Sequence, residues 1–342
     1  MIASLGKDPS GKELEKVKQS PHYRDNQFHN AKPTQTLAED ASMAKTIWHF
    51  LNKPRNSKPP KPLPSVKTDL NSDISDKPVL VWFGHSSYFI RINGINILVD
   101  PVLNGYAAPF SFMNKAFSGT NVYSVNDMPA IDVLIITHDH YDHLDYETVT
   151  KLRTKVKHVY TSLGVASHLV YWGYDRNRIT ELDWWQSATL PNNIQLTAAP
   201  ARHFSGRGFK RFPTLWSSFI LSTDDYKIYI GADSGYDNHF KEIGERFGPF
   251  DLGILENGQY NKAWPQIHMF PEESVQAGMD IGAKVLLPVH WAKFDISLHP
   301  WDDPIKRFSA TAKEKGVQIT TPLIGEPVVI DGVYPCSEWW HL

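Results

Sequence analysis

The chain has 342 residues, of which 41% are hydrophobic and 21% are charged. This composition is ordinary for a globular protein with one large core or two moderate ones. The formal net charge of −2 gives no reason to expect a polyanionic partner, so no nucleic acid is expected to bind. The single cysteine, Cys336, excludes an intramolecular disulfide and fits a reducing compartment.

The start of the chain differs from the rest in charge. Residues 1–67 carry twelve Lys or Arg and six Asp or Glu, which would allow contact with an anionic membrane surface. Folding back onto the acidic remainder of the chain is the preferred interpretation. No apolar run reaches transmembrane length, and Met1 to Lys7 lack the pattern of a signal peptide. We therefore expect a cytoplasmic protein, with peripheral attachment to a membrane left open.

Two helices and a proline-rich strap are predicted before residue 78. The helices lie near Gly11–Ser20 and over Leu37–Leu51, and the strap runs from Lys53 to Val66. We place residues 1–77 in an amino-terminal extension and residues 78–342 in the main domain. Because the extension precedes the first predicted strand of the main domain, residues 1–66 are expected to be dispensable for metal binding.

From Pro78 onward, short apolar segments predict strands that are interrupted by helices. Asn93-Gly94 predicts a hairpin turn. The predicted strands are Val79–Phe83, Tyr88–Ile92, Ile95–Val99, Ile131–Thr137, His158–Thr161, Gln195–Ala199, Ser217–Ser222, Lys227–Ile230, Leu252–Leu255 and Lys284–Val289. The predicted helices are Glu147–Lys155, Val165–Tyr171, Glu272–Ile281 and Asp303–Lys315. This mixture indicates an α/β fold with two sheets covered by helices.

A dense polar cluster follows one of these strands. Thr137 to Asp145 contains three histidines and three aspartates within nine residues, directly after the apolar run from Ala130 to Ile136. The carboxyl ends of buried strands are where open α/β sheets place their ligands. Imidazole and carboxylate at this density indicate metal ligands. An extended loop puts His138 and His140 on one side and leaves Asp142 and His143 free to face a second ion.

Three further ligand candidates occupy the same architectural position. His203, Asp233 and His290 each follow a predicted strand. A histidine or aspartate at one strand end is often structural, but the repetition favours a shared site.

The order H-x-H-x-D-H, then a lone His, Asp and His, resembles the metallo-β-lactamase superfamily. The resemblance implies a four-layer αβ/βα sandwich of two mixed β-sheets flanked by helices, with the site at one edge. Longer strings resemble the branch that contains the phospholipase D acting on N-acyl-phosphatidylethanolamine: Trp82–Ser87, Val99–Pro101, Pro200–Arg207, Thr214–Trp216, Phe247–Asp251 and His268–Glu273.

The resemblance implies two zinc ions per chain. The first site would hold His138, His140 and His203. The second would hold Asp142, His143 and His290, and Asp233 would bridge the two ions. Flavodiiron proteins of the same superfamily have Glu where this chain has His140, which favours zinc hydrolysis over iron redox chemistry.

Other polar residues are expected around the ligands. His85 and Asp100 would orient metal-bound side chains, although Asp100-Pro101 also fits a simple turn. Asp142 and His268 are the catalytic candidates. His268 would contact the phosphate or the leaving group, or else be an ordinary loop histidine. Arg207 would bind phosphate or hold its own loop through a carbonyl.

The implied activity is zinc-dependent hydrolysis of a phosphodiester in an N-acyl-phosphatidylethanolamine-like phospholipid, through a hydroxide that bridges the metals. Five tryptophans could line an approach for acyl chains or lie in the core: Trp184, Trp185, Trp216, Trp264 and Trp291. A sugar-phosphate lactonase and a non-catalytic metal-binding scaffold are the alternatives. The oligomeric state is left open, with a homodimer as one option.

Overall fold

The computed structural model describes residues 2–208 and 210–342. Within them, sixteen strands form one hairpin and two larger sheets. The strands are β1 (Tyr23–Arg24), β2 (Gln27–Phe28), β3 (Val79–Trp82), β4 (Tyr88–Ile92), β5 (Ile95–Val99), β6 (Ile131–Ile136), β7 (Val156–Ser162), β8 (Ile179–Leu182), β9 (Ser187–Thr189), β10 (Gln195–Ala199), β11 (Ser218–Ser222), β12 (Lys227–Ile230), β13 (Leu252–Glu256), β14 (Val285–Val289), β15 (Gln318–Ile319) and β16 (Pro327–Val329).

The described residues also form seven α-helices, and local sequence explains several of their ends. The helices are α1 (Lys12–Val17), α2 (Met43–Leu51), α3 (Tyr146–Leu152), α4 (Ala166–Tyr171), α5 (His239–Phe247), α6 (Pro271–Asp280) and α7 (Asp303–Lys315). Pro271 opens α6 because its missing N–H is not needed there. Gly316 ends α7 in the left-handed conformation. None of these helices is long and apolar enough to cross a bilayer.

Each of the two larger sheets has seven strands and mixes parallel with antiparallel pairs. The first has the order β16-β3-β4-β5-β6-β7-β8, and the second has the order β15-β14-β13-β12-β11-β10-β9. The largest apolar cluster lies between them and combines Ile97 and Val133 of the first sheet with Leu196 and Ile254 of the second. In a second apolar cluster, α3 and α4 pack on the outer face of the first sheet. In a third, α5, α6 and α7 pack on the outer face of the second sheet. The predicted four-layer sandwich is therefore confirmed.

The predicted elements differ from the structure mainly in short segments. Helix α2 begins at Met43 rather than at Leu37, because the Ser42 side chain accepts a hydrogen bond from Lys45 N and caps the helix. The strands β1, β2, β8, β9, β15 and β16 are not predicted from the sequence. They have two to four residues each, too few for an alternating apolar pattern to be recognised. The nine-residue helix α5 is also not predicted.

The amino-terminal extension folds back onto the main domain, as preferred from the sequence. Val17 and Phe28 are buried against Leu215 and Trp216. Leu63, within the proline-rich strap, lies in the cluster between the two sheets. The predicted extension therefore shares its core with the rest of the chain, which argues against residues 1–66 being dispensable.

Candidate metal centre

The polar site lies at one edge of the sandwich, where strands of both sheets end. The cluster from Thr137 follows β6, whereas the other ligand candidates follow β10, β12 and β14 of the second sheet. This arrangement gathers all seven predicted ligands: His138, His140, Asp142, His143, His203, Asp233 and His290. They fall into groups whose ligand atoms lie within 4.8 Å of one another.

The first group consists of three imidazoles and one carboxylate. His140 Nδ1 lies 3.0 Å from His138 Nε2 and 3.1 Å from His203 Nε2. Asp233 Oδ2 is 3.8 Å from His138 Nε2 and 3.7 Å from His203 Nε2. Burial lowers the pKa of His140 to about 4 and holds the pKa values of His138 and His203 well below the usual range of histidine. Burial therefore favours the neutral ring, which is the form that binds a metal.

The second group surrounds the other oxygen of the same aspartate. Asp233 Oδ1 lies 3.1 Å from His143 Nε2 and 3.1 Å from His290 Nδ1. Asp142 Oδ2 is 3.8 Å from His143 Nε2 and 3.0 Å from His85 Nε2. The two oxygens of Asp233 thus face different groups, which is the arrangement required of a carboxylate shared by two cations.

Unsatisfied polar atoms show that cations would fit here. His143 Nε2, Asp233 Oδ1 and His290 Nε2 are buried and make no hydrogen bond among the described residues. His143 Nε2 and Asp233 Oδ1 lie 3.1 Å apart but do not meet in hydrogen-bond geometry. Each such atom costs about 1–3 kcal/mol when left unpaired. Imidazole nitrogen with carboxylate oxygen is a donor set that suits zinc.

Asp100 holds the ring of His143 in place. Its Oδ2 accepts a hydrogen bond from His143 Nδ1 at 2.7 Å and another from the Thr137 hydroxyl at 2.6 Å, while Oδ1 accepts from Thr137 N at 2.8 Å. The contact fixes the tautomer and leaves Nε2 for a metal. His85 makes the corresponding contact with Asp142. These contacts fit the orienting roles predicted for Asp100 and His85.

The backbone at the site is strained. His85, Asp100 and His290 have φ values of 53°, 40° and 68°, in the left-handed region that non-glycine residues seldom adopt. Strain of this kind persists where surrounding contacts enforce it, and it concentrates at functional sites.

Glu256 is a site residue that the sequence prediction missed. It ends β13, is buried, and accepts a hydrogen bond from His268 Nδ1 at 2.7 Å. Its other oxygen accepts from Met269 N at 2.8 Å and from Ser234 N at 3.2 Å. Glu256 therefore positions His268 beside Asp233. Its place at a strand end is the same signal that identified Asp233 and His290.

Asp139 and His168 form a second missed pair. Asp139 accepts hydrogen bonds from Gly206 N at 2.8 Å, Thr214 Oγ1 at 3.0 Å and His168 Nε2 at 3.3 Å. Burial opposes the charge of Asp139, but the hydrogen bonds from His168 and Gly206 lower its pKa to about 2. Because Lys7 N donates to His168 Nδ1 at 3.0 Å, the pair connects the ligand loop to the start of the chain.

The structure does not support phosphate binding by Arg207. Its side chain is buried, and Nη1 donates to the carbonyl oxygens of Asp139 and Leu144 at 2.7 Å each. Nη2 donates to the Ser4 carbonyl at 2.7 Å. The alternative prediction, that Arg207 holds its loop through carbonyls, describes these contacts.

A cleft of about 360 Å³ opens above the two groups. Its floor is polar and includes His140, Asp142, His203, Asp233, His268 and His290. Its walls carry the apolar residues Leu37, Phe50, Phe204, Trp264, Ile267 and Ile296. Of the five tryptophans considered, Trp264 lines the cleft, whereas Trp184, Trp216 and Trp291 lie in buried apolar clusters and Trp185 packs beside them.

Residues 95–291, more than half of the chain, match the β-lactamase superfamily domain. This chain belongs to the β-lactamase superfamily. It is 38% identical over 329 residues to an uncharacterised protein of Mycobacterium tuberculosis, covering 95% of this chain and 88% of that protein. It is 29% identical over 263 residues to the N-acyl-phosphatidylethanolamine-hydrolyzing phospholipase D 1 of Caenorhabditis elegans, covering 72% of this chain and 74% of that protein.

Among solved structures, the chain is similar to Igni18, a metallo hydrolase of Ignicoccus hospitalis. The TM-score is 0.57 at 18% identity, over 74% of this chain and 97% of that one, which is a likeness of fold. The predicted resemblance to the superfamily and to the phospholipase D branch is confirmed. Family, fold and clustered ligands together support metal-dependent hydrolysis as the activity.

Proposed function

We propose that this chain is a dinuclear zinc-dependent phosphodiesterase of the phospholipase D type. Its substrate would be a glycerophospholipid similar to N-acyl-phosphatidylethanolamine. The observation that carries the proposal is Asp233, whose two oxygens face two groups of ligands at the floor of a cleft with apolar walls.

The ligand assignment follows from the two groups. The first ion would be held by His138, His140 and His203, and the second by Asp142, His143 and His290, with Asp233 between them. Two bound zinc ions supply Lewis acidity toward phosphoryl oxygens and make water more acidic. The chain contributes the preset orientation of its ligands: His143 is held by Asp100, and His203 donates from Nδ1 to the Ile267 carbonyl at 2.8 Å.

In this proposal, His268 and Asp142 would act on the substrate. The His268 side chain lines the cleft and is 12% exposed, and Glu256 fixes the ring through Nδ1. Its Nε2 edge is left to contact a phosphate oxygen or the leaving group. Asp142 reaches the same floor with its carboxylate held by His85.

We assign to Arg211 the phosphate-binding role that was predicted for Arg207. It lies at the wall of the cleft, and its guanidinium is 5.7 Å from the centre of the Phe204 ring. It is exposed, so it can move to meet a phosphodiester charge.

The walls of the cleft favour a lipid over a sugar phosphate. Six apolar side chains above the polar floor can cover the acyl-bearing part of a phospholipid while the phosphodiester reaches the ligands. The relative in C. elegans is named for hydrolysis of N-acyl-phosphatidylethanolamine. A sugar-phosphate lactonase would need an open, charged pocket, and a non-catalytic scaffold would not need a complete ligand set.

Elemental analysis combined with a hydrolysis panel tests the proposal. We expect two zinc ions per chain and turnover of phosphodiester lipids rather than lactones. Asp233→Asn should reduce occupancy of both ions and lower turnover by about 100-fold or more, because the bridging charge is lost. Asp225→Asn, in an exposed turn, is the matched control.

Three results would contradict the proposal. Tightly bound iron with oxygen-reducing activity would contradict the assignment of a zinc hydrolase. Turnover of lactones alone would contradict a phosphodiester substrate. An Asp233→Asn variant with wild-type metal content and turnover would show that Asp233 does not bridge two ions.

A further inference from the structure

The helix α2 exposes large apolar side chains beside the cleft. Ile47, Trp48 and Leu51 are 53%, 59% and 79% exposed. Phe50, one turn after Ile47, stacks with Trp264 at 6.0 Å between ring centres and lines the cleft. A helix at a water-exposed surface normally presents polar residues outward, so the outward side of α2 is unusual.

A second segment exposes apolar side chains next to α2. Phe110 and Phe112 stack with their ring centres 5.7 Å apart, and Phe112 is 73% exposed. A groove of about 540 Å³ is lined by Phe50, Leu51 and Phe112, so it joins the two segments. We call the combined surface the apolar rim; it consists of Ile47, Trp48, Leu51, Phe110, Phe112 and Met113.

Positive charge surrounds the same groove. Its lining includes four cationic residues, Lys53, Arg55, Lys58 and Lys115, against the single carboxylate of Asp295. Lys53 and Lys58 lie 3.0 Å and 3.6 Å from that carboxylate. Arg55 and Lys115 have no carboxylate within salt-bridge distance among the described residues.

We propose that the apolar rim and the surrounding cations dock onto a bilayer that contains anionic phospholipid, with the cleft opening toward the headgroups. The role of this surface in bringing substrate to the cleft rests on the proposed function. Tryptophan and phenylalanine side chains favour the boundary between headgroups and acyl chains. Lysine and arginine beside them are attracted to anionic lipid.

Charge and position favour a bilayer over a second copy of the chain. An isologous contact would place the four cations of one groove against the same four of its copy, and like charges repel. The groove continues into the cleft through Phe50, which lines both. A docked surface would therefore bring lipid to the wall of the cleft without a further movement of the chain.

Sedimentation with vesicles tests the docking surface. The full zinc-loaded chain should bind vesicles of equal parts phosphatidylglycerol and phosphatidylcholine, and bind pure phosphatidylcholine at least about fivefold less. Leu51→Ser and Phe112→Ser should each weaken binding about fivefold or more. Lys115→Glu should weaken it at low salt and lose its effect at high salt.

Two variants elsewhere serve as matched controls. Val333→Ser removes an exposed apolar side chain that is not part of the apolar rim. Lys241→Glu reverses an exposed charge on α5. Both should bind vesicles as the wild type does. All five variants should keep the wild-type melting temperature and turnover of bis(p-nitrophenyl) phosphate, because none of the substituted side chains contacts the ligands.

Several outcomes overturn the docking surface. The proposal is wrong if the wild-type protein does not bind anionic vesicles at low salt. It is also wrong if Leu51→Ser and Phe112→Ser bind vesicles as the wild type does. A dimer that Leu51→Ser or Phe112→Ser dissociates, with vesicle binding unchanged, would assign the rim to a contact between copies. Lipid hydrolysis without vesicle binding overturns this inference alone. Vesicle binding without lipid hydrolysis supports it and counts against the proposed substrate.

Discussion

Two parts of the amino-terminal extension reach the same metal centre in different ways. Residues 3–30 contact it through polar groups: Lys7 N donates to His168, and Asn30 Nδ2 donates to the His203 carbonyl at 2.8 Å. Helix α2 borders the cleft above it through the apolar side chain of Phe50 and leaves Ile47, Trp48 and Leu51 largely exposed. The first part thus holds the ligand loops, whereas the second part borders the entrance.

This difference has consequences for stability. The partly buried hydrogen bonds and the buried side chains of Val17 and Phe28 make residues 3–30 part of the cooperative fold. A nine-residue helix such as α2 is marginal in water and depends on the few contacts of one face. Changes in residues 3–30 should therefore unfold the protein or empty the site, while changes in α2 should act on substrate access.

Deletion of residues 1–30 should have the largest effect. It removes Lys7 and Ser4, which bond to His168 and Arg207, and it uncovers Leu215 and Trp216. We therefore expect loss of cooperative melting and of zinc. Circular dichroism and elemental analysis measure both. Replacing residues 43–51 with a glycine-serine linker of equal length is the comparison, and it should retain zinc. A deletion variant with wild-type melting and two zinc ions would show that residues 3–30 are dispensable after all.

Arg207→Met should cost about 3 kcal/mol of unfolding free energy, because the carbonyl oxygens of Ser4, Asp139 and Leu144 lose a charged donor. Urea unfolding measures this change. The control, Arg211→Met, removes an exposed guanidinium and should leave stability within about 0.5 kcal/mol of the wild type. If Arg207→Met instead raises KM for a soluble diester and leaves stability unchanged, the original phosphate-binding prediction was right.

Asn30→Ala should weaken zinc binding without unfolding the protein. Asn30 Oδ1 accepts hydrogen bonds from His203 N at 3.0 Å and from Trp216 Nε1 at 3.1 Å, so the variant loosens one ligand loop. We expect zinc affinity to fall about tenfold, as is typical when residues that orient a ligand are lost. Titration with a competing chelator measures it. Asn71→Ala, in an exposed turn, should match the wild type.

The candidate ligands that the structure brings together were predictable from the sequence because their signals are local. The cluster from Thr137 to Asp145 combines residue type with position after a strand, and His203, Asp233 and His290 repeat that position. Even there, not every carboxylate belongs to the candidate ligand groups. Asp145 accepts a hydrogen bond from Thr148 N at 2.9 Å and caps α3.

The residues that hold the ligands were harder to predict, because their contacts join distant parts of the chain. Ser4 and Lys7 act through backbone groups, which leave no trace in residue type. Asn30 is an ordinary polar residue until the fold places it beside His203. The strands β9 and β15 were missed for a related reason, since a two- or three-residue edge strand is defined by its neighbour in the sheet rather than by its own pattern.

Phe50→Ala should have the smallest effect on stability and the most selective effect on turnover. Phe50 belongs to α2 and is partly exposed, so its loss should change the unfolding free energy by less than about 1 kcal/mol. It removes one apolar wall of the cleft, so KM should rise for a long-chain phospholipid in detergent micelles. Hydrolysis of bis(p-nitrophenyl) phosphate should be unchanged, because that substrate has no acyl chain to cover. Tyr171→Ala, on the exposed side of α4, is the control for loss of an aromatic ring. If Phe50→Ala slows both substrates equally, Phe50 supports the metal centre itself, and the contrast between α2 and residues 3–30 disappears.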